Sequence, residues 1–292
     1  MSVLASLFGP FAEFGFMRRA LVGCLALSVS APPLGVFLML RRMSLMSEAM
    51  SHAILPGAAA GFLVAGLSLP AMTLGGLVAG LAVALAAGFV TRSTVLKEDA
   101  SLAAFYLISL AGGVVLVSLR GSQIDLLNIL FGSVLALDDA ALELLGAIAT
   151  VTLVALALLY RPLVIECVDP LFLRSVSRVG GPVHYAFLAL VVTNLVGGFQ
   201  ALGTLLAVGL MLLPAITARF WARDLSGLIP VAMGVSALAS LMGLVLSFHA
   251  GIRLPTGPAI VLCAGGLYLV SMLIGPRGGL LLRLVRRRHL EA

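Results

Sequence analysis

Nine apolar runs, most of them close to the length of a bilayer-spanning helix and separated by short polar links, leave this chain few folds to adopt. A helix needs about 20 apolar residues to cross the hydrocarbon core. Only helices and closed barrels can satisfy their backbone polar groups there. A barrel would show short segments of alternating polarity, and these runs do not alternate. The expected fold is all-α: one domain over 1–292, a polytopic integral membrane protein with about nine transmembrane helices and a short N-terminal interfacial helix near 3–16. The spans fall at about 20–40, 47–66, 70–91, 100–119, 140–160, 183–199, 202–221, 226–248 and 256–275. Composition agrees, with 61% hydrophobic and only 10% charged residues, where soluble domains carry about 25% charged.

Basic residues gather in short links and at the C-terminus, which orients the chain. The rule puts Arg41-Arg42, 92–99, 161–181, Arg219–Asp224 and the tail at about 277–292 on the cytoplasmic side. Arg18 and Arg19 are the exception, since an odd number of spans leaves them outside unless residues 3–16 cross as well. The net charge of +6 thus follows membrane topology and gives little support to nucleic-acid binding. Cys24, Cys167 and Cys263 lack the paired spacing of a zinc or disulfide framework and read as packing residues.

Against this apolar background one stretch stands out: Arg41-Arg42-Met43-Ser44-Leu45-Met46-Ser47-Glu48-Ala49-Met50-Ser51-His52-Ala53, running on to Pro56-Gly57. Glu48 and His52, four residues apart, project from one face of a helix one turn apart. Ser51 lies beside that line and is a weaker candidate donor. Pro56 cannot bond the carbonyl of His52, so a backbone oxygen is freed near the pair. Ionisable groups inside a bilayer are costly and mark ion or proton paths; the competing reading is a hydrogen-bonded pair that fixes packing. Imidazole with carboxylate suits zinc and manganese alike. Asn194, with Thr193 and Gln200, is a weaker candidate donor in the sixth span, where hydrogen bonding between helices is the favoured role. His249, Glu143, Asp138 and Asp139 read as interface or loop-end residues, and His184 and His289 as loop or tail residues. Pro214, which frees the carbonyl of Leu210, marks a kink. No phosphate-binding loop or dinucleotide fingerprint is present, so any ATP is bound and hydrolysed by a separate chain.

Residues 41–53 resemble the signature segment of ABC-3 permeases, the membrane subunits of bacterial zinc, manganese and iron importers. Gly203-Thr204-Leu205-Leu206 through Leu213-Pro214-Ala215, with Ala218-Arg219, is similar to a second family segment, and Pro255 through Leu262 to a third. The resemblance implies a permease homodimer in the bacterial inner membrane, two cytoplasmic ATP-binding subunits and an extracytoplasmic metal-binding protein. It implies that Glu48 and His52 pass a divalent metal, zinc or manganese and possibly iron, as cargo with no tightly bound cofactor. It also implies that the segment at about 161–181 couples to the ATPase through Asp169, Pro170, Leu171, Phe172 and Arg174, with Asp169 at a helix N-terminus where an acid is favoured. The family usually carries Asp at the position of Glu48. Two other readings compete. A proton-coupled secondary transporter would use Glu48 as its carboxylate. An intramembrane metalloenzyme would need three strong ligands and a general base, and only four histidines exist.

Overall fold

The structure, a computed structural model, describes residues 9–66, 68–96, 98–120, 134–169, 172, 180–249 and 254–281. Its long elements are all helical: α1 Gly15–Leu40, α2 Met46–Ala65, α3 Leu69–Ser93, α4 Glu98–Arg120, α5 Asp139–Val168, α6 Gly180–Leu202, α7 Thr204–Ala218, α8 Leu225–His249 and α9 Thr256–Ile274. Seven are long and apolar enough to cross a bilayer, while α4 and α7 carry shorter apolar stretches, Asp99–Val115 and Thr204–Ala218. A short helical turn over residues 9–13 precedes α1.

Burial separates a central pair from the rest. The spans of α1 and α6 are 72% buried, against 28% to 39% for the other five. They meet through Phe37 and Phe187, whose rings lie edge to face at 6.2 Å. A helix in lipid gains nothing by hiding apolar side chains from hydrocarbon, so close backbone approach through small residues drives association. The α2–α3 contact is built that way: a Cβ on Gly57 would strike the carbonyl oxygen of Gly75, and one on Gly61 that of Ala71. Between α6 and α7 only Gly203 intervenes. Its φ of 97° lies in the left-handed region that glycine alone enters freely, and this lets the chain reverse within one residue.

The helices share two ends. At one, Arg19 pairs with Asp139 at 2.9 Å and Phe14 stacks near Phe248 at 5.7 Å. At the other lie Arg41, Glu166 and His184 and the bond from Trp221 Nε1 to Ser271 Oγ at 2.9 Å. Arg41 and Arg219 lie at this second end, in agreement with the charge rule. Arg19, exceptional by that rule, has an acidic partner at the opposite end.

Most span boundaries agree with the sequence within a few residues. The fifth does not: α5 continues through Pro162 to Val168, and α6 already begins at Gly180. Glu166 and His184 are therefore helical rather than in a polar loop, with side chains only 11% and 9% exposed. Glu166 can stay inside because Arg41 of a different element supplies its countercharge, a tertiary partner that local polarity does not reveal. Ahead of α5, Val134–Ala136 forms a 3₁₀ turn.

Candidate functional site

The link into α2 is shaped by how α1 ends. Arg42 N–H donates to Met39 O at 3.1 Å, and Met43 N–H to Leu38 O at 2.9 Å. This pair of bonds is the Schellman arrangement, with Arg42 in the left-handed position at φ 60°. The chain then re-enters helix at Met46 with no side-chain cap. Glu48 lies in that first turn, where the helix N-terminus favours negative charge. His52 follows one turn on.

Opposite them runs the start of α4. Asp99, Leu102, Ala103 and Tyr106 recur at helical spacing and form one wall of a cavity of about 270 Å³; Leu45, Met46, Glu48, Ala49 and His52 form the other. The His52 and Tyr106 rings are 6.2 Å apart, inclined at 31°. The two helices are held together just beyond the cavity. Pro56 lies so close to Gly113 that a Cβ there would sit 2.6 Å from the proline ring. Ser109 Oγ donates to the carbonyl of Ala53 at 3.2 Å. Thus α2 continues through Pro56 to Ala65, and a hydroxyl from α4 takes the carbonyl next to the one the proline frees.

Two carboxylates, an imidazole and a phenol therefore line one space. Glu48 is exposed and His52 half-buried, so the cavity is open to the surface of the chain. No group of three His, Cys, Asp or Glu side chains among the described residues is close enough to hold an ion. The donors line one cavity without being gathered into a closed site.

The other candidates lie elsewhere. Ser51 is buried, and its hydroxyl donates to the carbonyl of Glu48 at 2.7 Å rather than lining the cavity. Asn194 is fully buried; its Nδ2 donates to Thr152 Oγ1 of α5 at 2.6 Å and to Leu190 O at 3.2 Å. Its Oδ1 has no partner among the described residues. Asp169 accepts the backbone N–H of Phe172 at 2.9 Å, and Phe172 is exposed. Pro170, Leu171 and Arg174 lie outside the described residues. Asp138 caps α5 by accepting from Ala141 N–H at 2.8 Å. His249 is exposed and bonded to Val245 O at 3.0 Å. Asp99 and Tyr106 do not stand out in the sequence, because the charged link 92–99 reads as solvated. The spacing 99, 102, 103, 106 is the signal that could have found them.

Comparison with known proteins bears on this geometry. The model of the ABC 3 transport family matches residues 13–275. The manganese import system permease protein ScaB of Streptococcus parasanguinis is 31% identical over 265 residues, covering 91% of this chain and 92% of that protein. The chelated iron transport system membrane protein YfeD of Yersinia pestis is 32% identical over 274 residues, with coverage of 94% and 90%. The solved structure of PsaBC from Streptococcus pneumoniae in complex with Fab superposes with a TM-score of 0.81 at 29% identity, over 94% of this chain and 97% of the other. With its apolar helical bundle, the chain is a multi-pass protein of the bacterial cytoplasmic membrane and belongs to the ABC 3 transport family.

Proposed function

We propose that this chain is the membrane-spanning subunit of an ABC importer for divalent transition metals, manganese ahead of iron and zinc. The observation that carries the reading is the shared cavity: Glu48 and His52 on α2 face Asp99 and Tyr106 on α4. Carboxylate and phenolic oxygens favour the harder ions, manganese in particular, while the single imidazole is compatible with iron and zinc. The names of the relatives point the same way, toward manganese and chelated iron. Membership of an ABC transport family removes the need for Glu48 to act as a proton-coupling group.

An extracytoplasmic metal-binding protein delivers the ion, and Glu48 with His52 receives it transiently. Asp99 supplies a third donor as α2 and α4 close on it. Cytoplasmic ATP-binding subunits engage the segment that begins at Asp169, where the bond from Phe172 N–H to Asp169 and the exposed Phe172 suit a docking role. The chain itself performs no bond-making chemistry; it alternates access.

The test is uptake of manganese, iron and zinc in cells that co-express the partner subunits. Glu48→Ala and His52→Ala, at normal membrane levels, are expected to abolish accumulation of the transported metal. Normal uptake by both variants would leave the pair a packing feature and end the reading.

A further inference from the structure

At the end of the bundle nearest the Asp169 segment lies a buried ionic cluster that the metal path does not use. The Arg41 guanidinium pairs with Glu166 Oε2, and their side chains are only 6% and 11% exposed. His184 Nδ1 approaches Glu166 Oε1 at 3.7 Å. Arg41 also lies over the Phe187 ring, 4.8 Å from its centroid, a favourable place for a cation. On the far side of His184, Gly88 of α3 leaves room for the ring: a Cβ there would be 3.7 Å from Nε2.

Position gives the cluster its meaning. Glu166 is in the last turn of α5, just before Asp169. His184 is in the first turns of α6. The two residues therefore hold the helix ends that flank the segment proposed above to meet the ATPase. Arg41 belongs to neither helix; it is the C-cap of α1, and the next residues lead into α2 with Glu48 and His52. The only non-glycine residue with positive φ among those described is Arg42, directly beside it. Strained backbone persists where the surroundings over-determine it and is concentrated at switch regions.

A cluster built for stability alone would close its hydrogen bonds, because a buried unmet donor is costly. This one does not. Arg41 Nη1 is buried without an acceptor among the described residues. Alternative pairings are thus available to Arg41 and Glu166 within the same space. Packed interfaces with two discrete arrangements transmit small displacements as switches.

We propose that Arg41, Glu166 and His184 form a transmission latch that ties the facing ends of α5 and α6 to the α1–α2 link, so that displacement of those ends repositions the helix carrying Glu48 and His52. They are positioning residues, touching no cargo. The inference rests on the ABC-importer reading for its source of displacement, but its test can be separated from the identity of the cargo.

The test uses the full transporter, this chain with its ATP-binding subunits, in liposomes. ATP hydrolysis and manganese(II) uptake are followed together. A fluorophore on Ser44→Cys, outside the cavity lining, in a Cys167→Ser and Cys263→Ala background, reports movement of the α1–α2 link, and uptake is measured on unlabelled complex. In Glu166→Gln, hydrolysis is expected to stay within about twofold while manganese carried per ATP falls about tenfold, the scale of coupling energies between sites. The Ser44 signal should cease to follow ATP. The exchanged pair Arg41→Glu with Glu166→Arg should regain about half of the lost coupling. If Glu166→Gln fails to assemble, Arg41→Lys, which keeps the charge but loses the planar fork, is expected to show the same uncoupling. A Ser44 signal that still follows ATP in either variant overturns the latch. So does a parallel fall of hydrolysis and uptake that the exchanged pair does not reverse. Should the labelled complex with an intact latch respond to ATP while the unlabelled one accumulates no manganese, the metal reading fails, and the latch is judged on the Ser44 signal alone.

Discussion

Two adjacent glycines on α4 should respond oppositely to the same substitution. A Cβ on Gly112 would meet nothing within 4 Å, whereas one on Gly113 would sit 2.6 Å from two atoms of the Pro56 ring and 2.9 Å from Pro56 Cα. Alanine in a helix is favoured over glycine by about 0.5–1 kcal/mol, so Gly112→Ala should stabilise by that amount. Gly113→Ala gains the same propensity but forces apart a contact that cannot yield easily, because the opposing atoms belong to a rigid ring and its backbone. Overpacking of this kind costs about 1–3 kcal/mol, which leaves a net loss on the order of 1–2 kcal/mol and separates the two variants by about 1–3 kcal/mol. Apparent thermal unfolding midpoints of the purified protein in detergent would resolve this, at roughly 2–4 °C per kcal/mol for chains of comparable size. Because Pro56 lies one turn beyond His52, Gly113→Ala should also weaken manganese uptake while Gly112→Ala leaves it unchanged. Equal midpoints for the two variants would refute the α2–α4 contact on which the cavity geometry depends.

Asp99→Asn, at normal expression, should reduce manganese uptake about tenfold, comparable to the loss of one charged ligand contact; unchanged uptake would confine Asp99 to the cavity rim. Asn194→Leu should retain uptake, because the amide is bonded to Thr152 in the core, and it should change stability by no more than about 1–3 kcal/mol, the range for disturbing a buried hydrogen bond. Loss of uptake in a stable Asn194→Leu protein would restore Asn194 as a ligand. Arg42→Gly should raise the unfolding midpoint, since a left-handed backbone costs a non-glycine residue about 1–2 kcal/mol, and a lowered midpoint would show that the Arg42 side chain contributes more than its backbone costs.

The bundle was legible in the sequence because membrane helices advertise themselves by length and apolarity, independent of what they pack against. The Glu48–His52 face was legible for a related reason: helical spacing puts both residues on one side of α2, where both line the cavity. What stayed hidden depended on partners distant in sequence. Asp99 reads as one more charge in a link, and only the start of α4 at Glu98 turns it, with Tyr106, toward the cavity. Glu166 has the look of a loop residue because its countercharge comes from Arg41, on a helix far back in the chain. His184 reads as a loop residue for the same reason. Conversely, the freed carbonyl of His52 was a sound local deduction, but Ser109 from a neighbouring helix reaches Ala53 and alters the surroundings of that oxygen. Local chemistry reads off one helix; a shared site requires knowing which helices meet.

The central claim is that a transported ion touches Glu48 and His52, and manganese(II) itself can report this by electron paramagnetic resonance. The purified transporter, loaded with the ion, should show nitrogen hyperfine coupling from one imidazole. That coupling should vanish in His52→Ala, and Glu48→Ala should weaken manganese binding about 10–100-fold. Nitrogen coupling that persists in His52→Ala, with affinity unchanged in Glu48→Ala, would place the ion elsewhere and contradict the account.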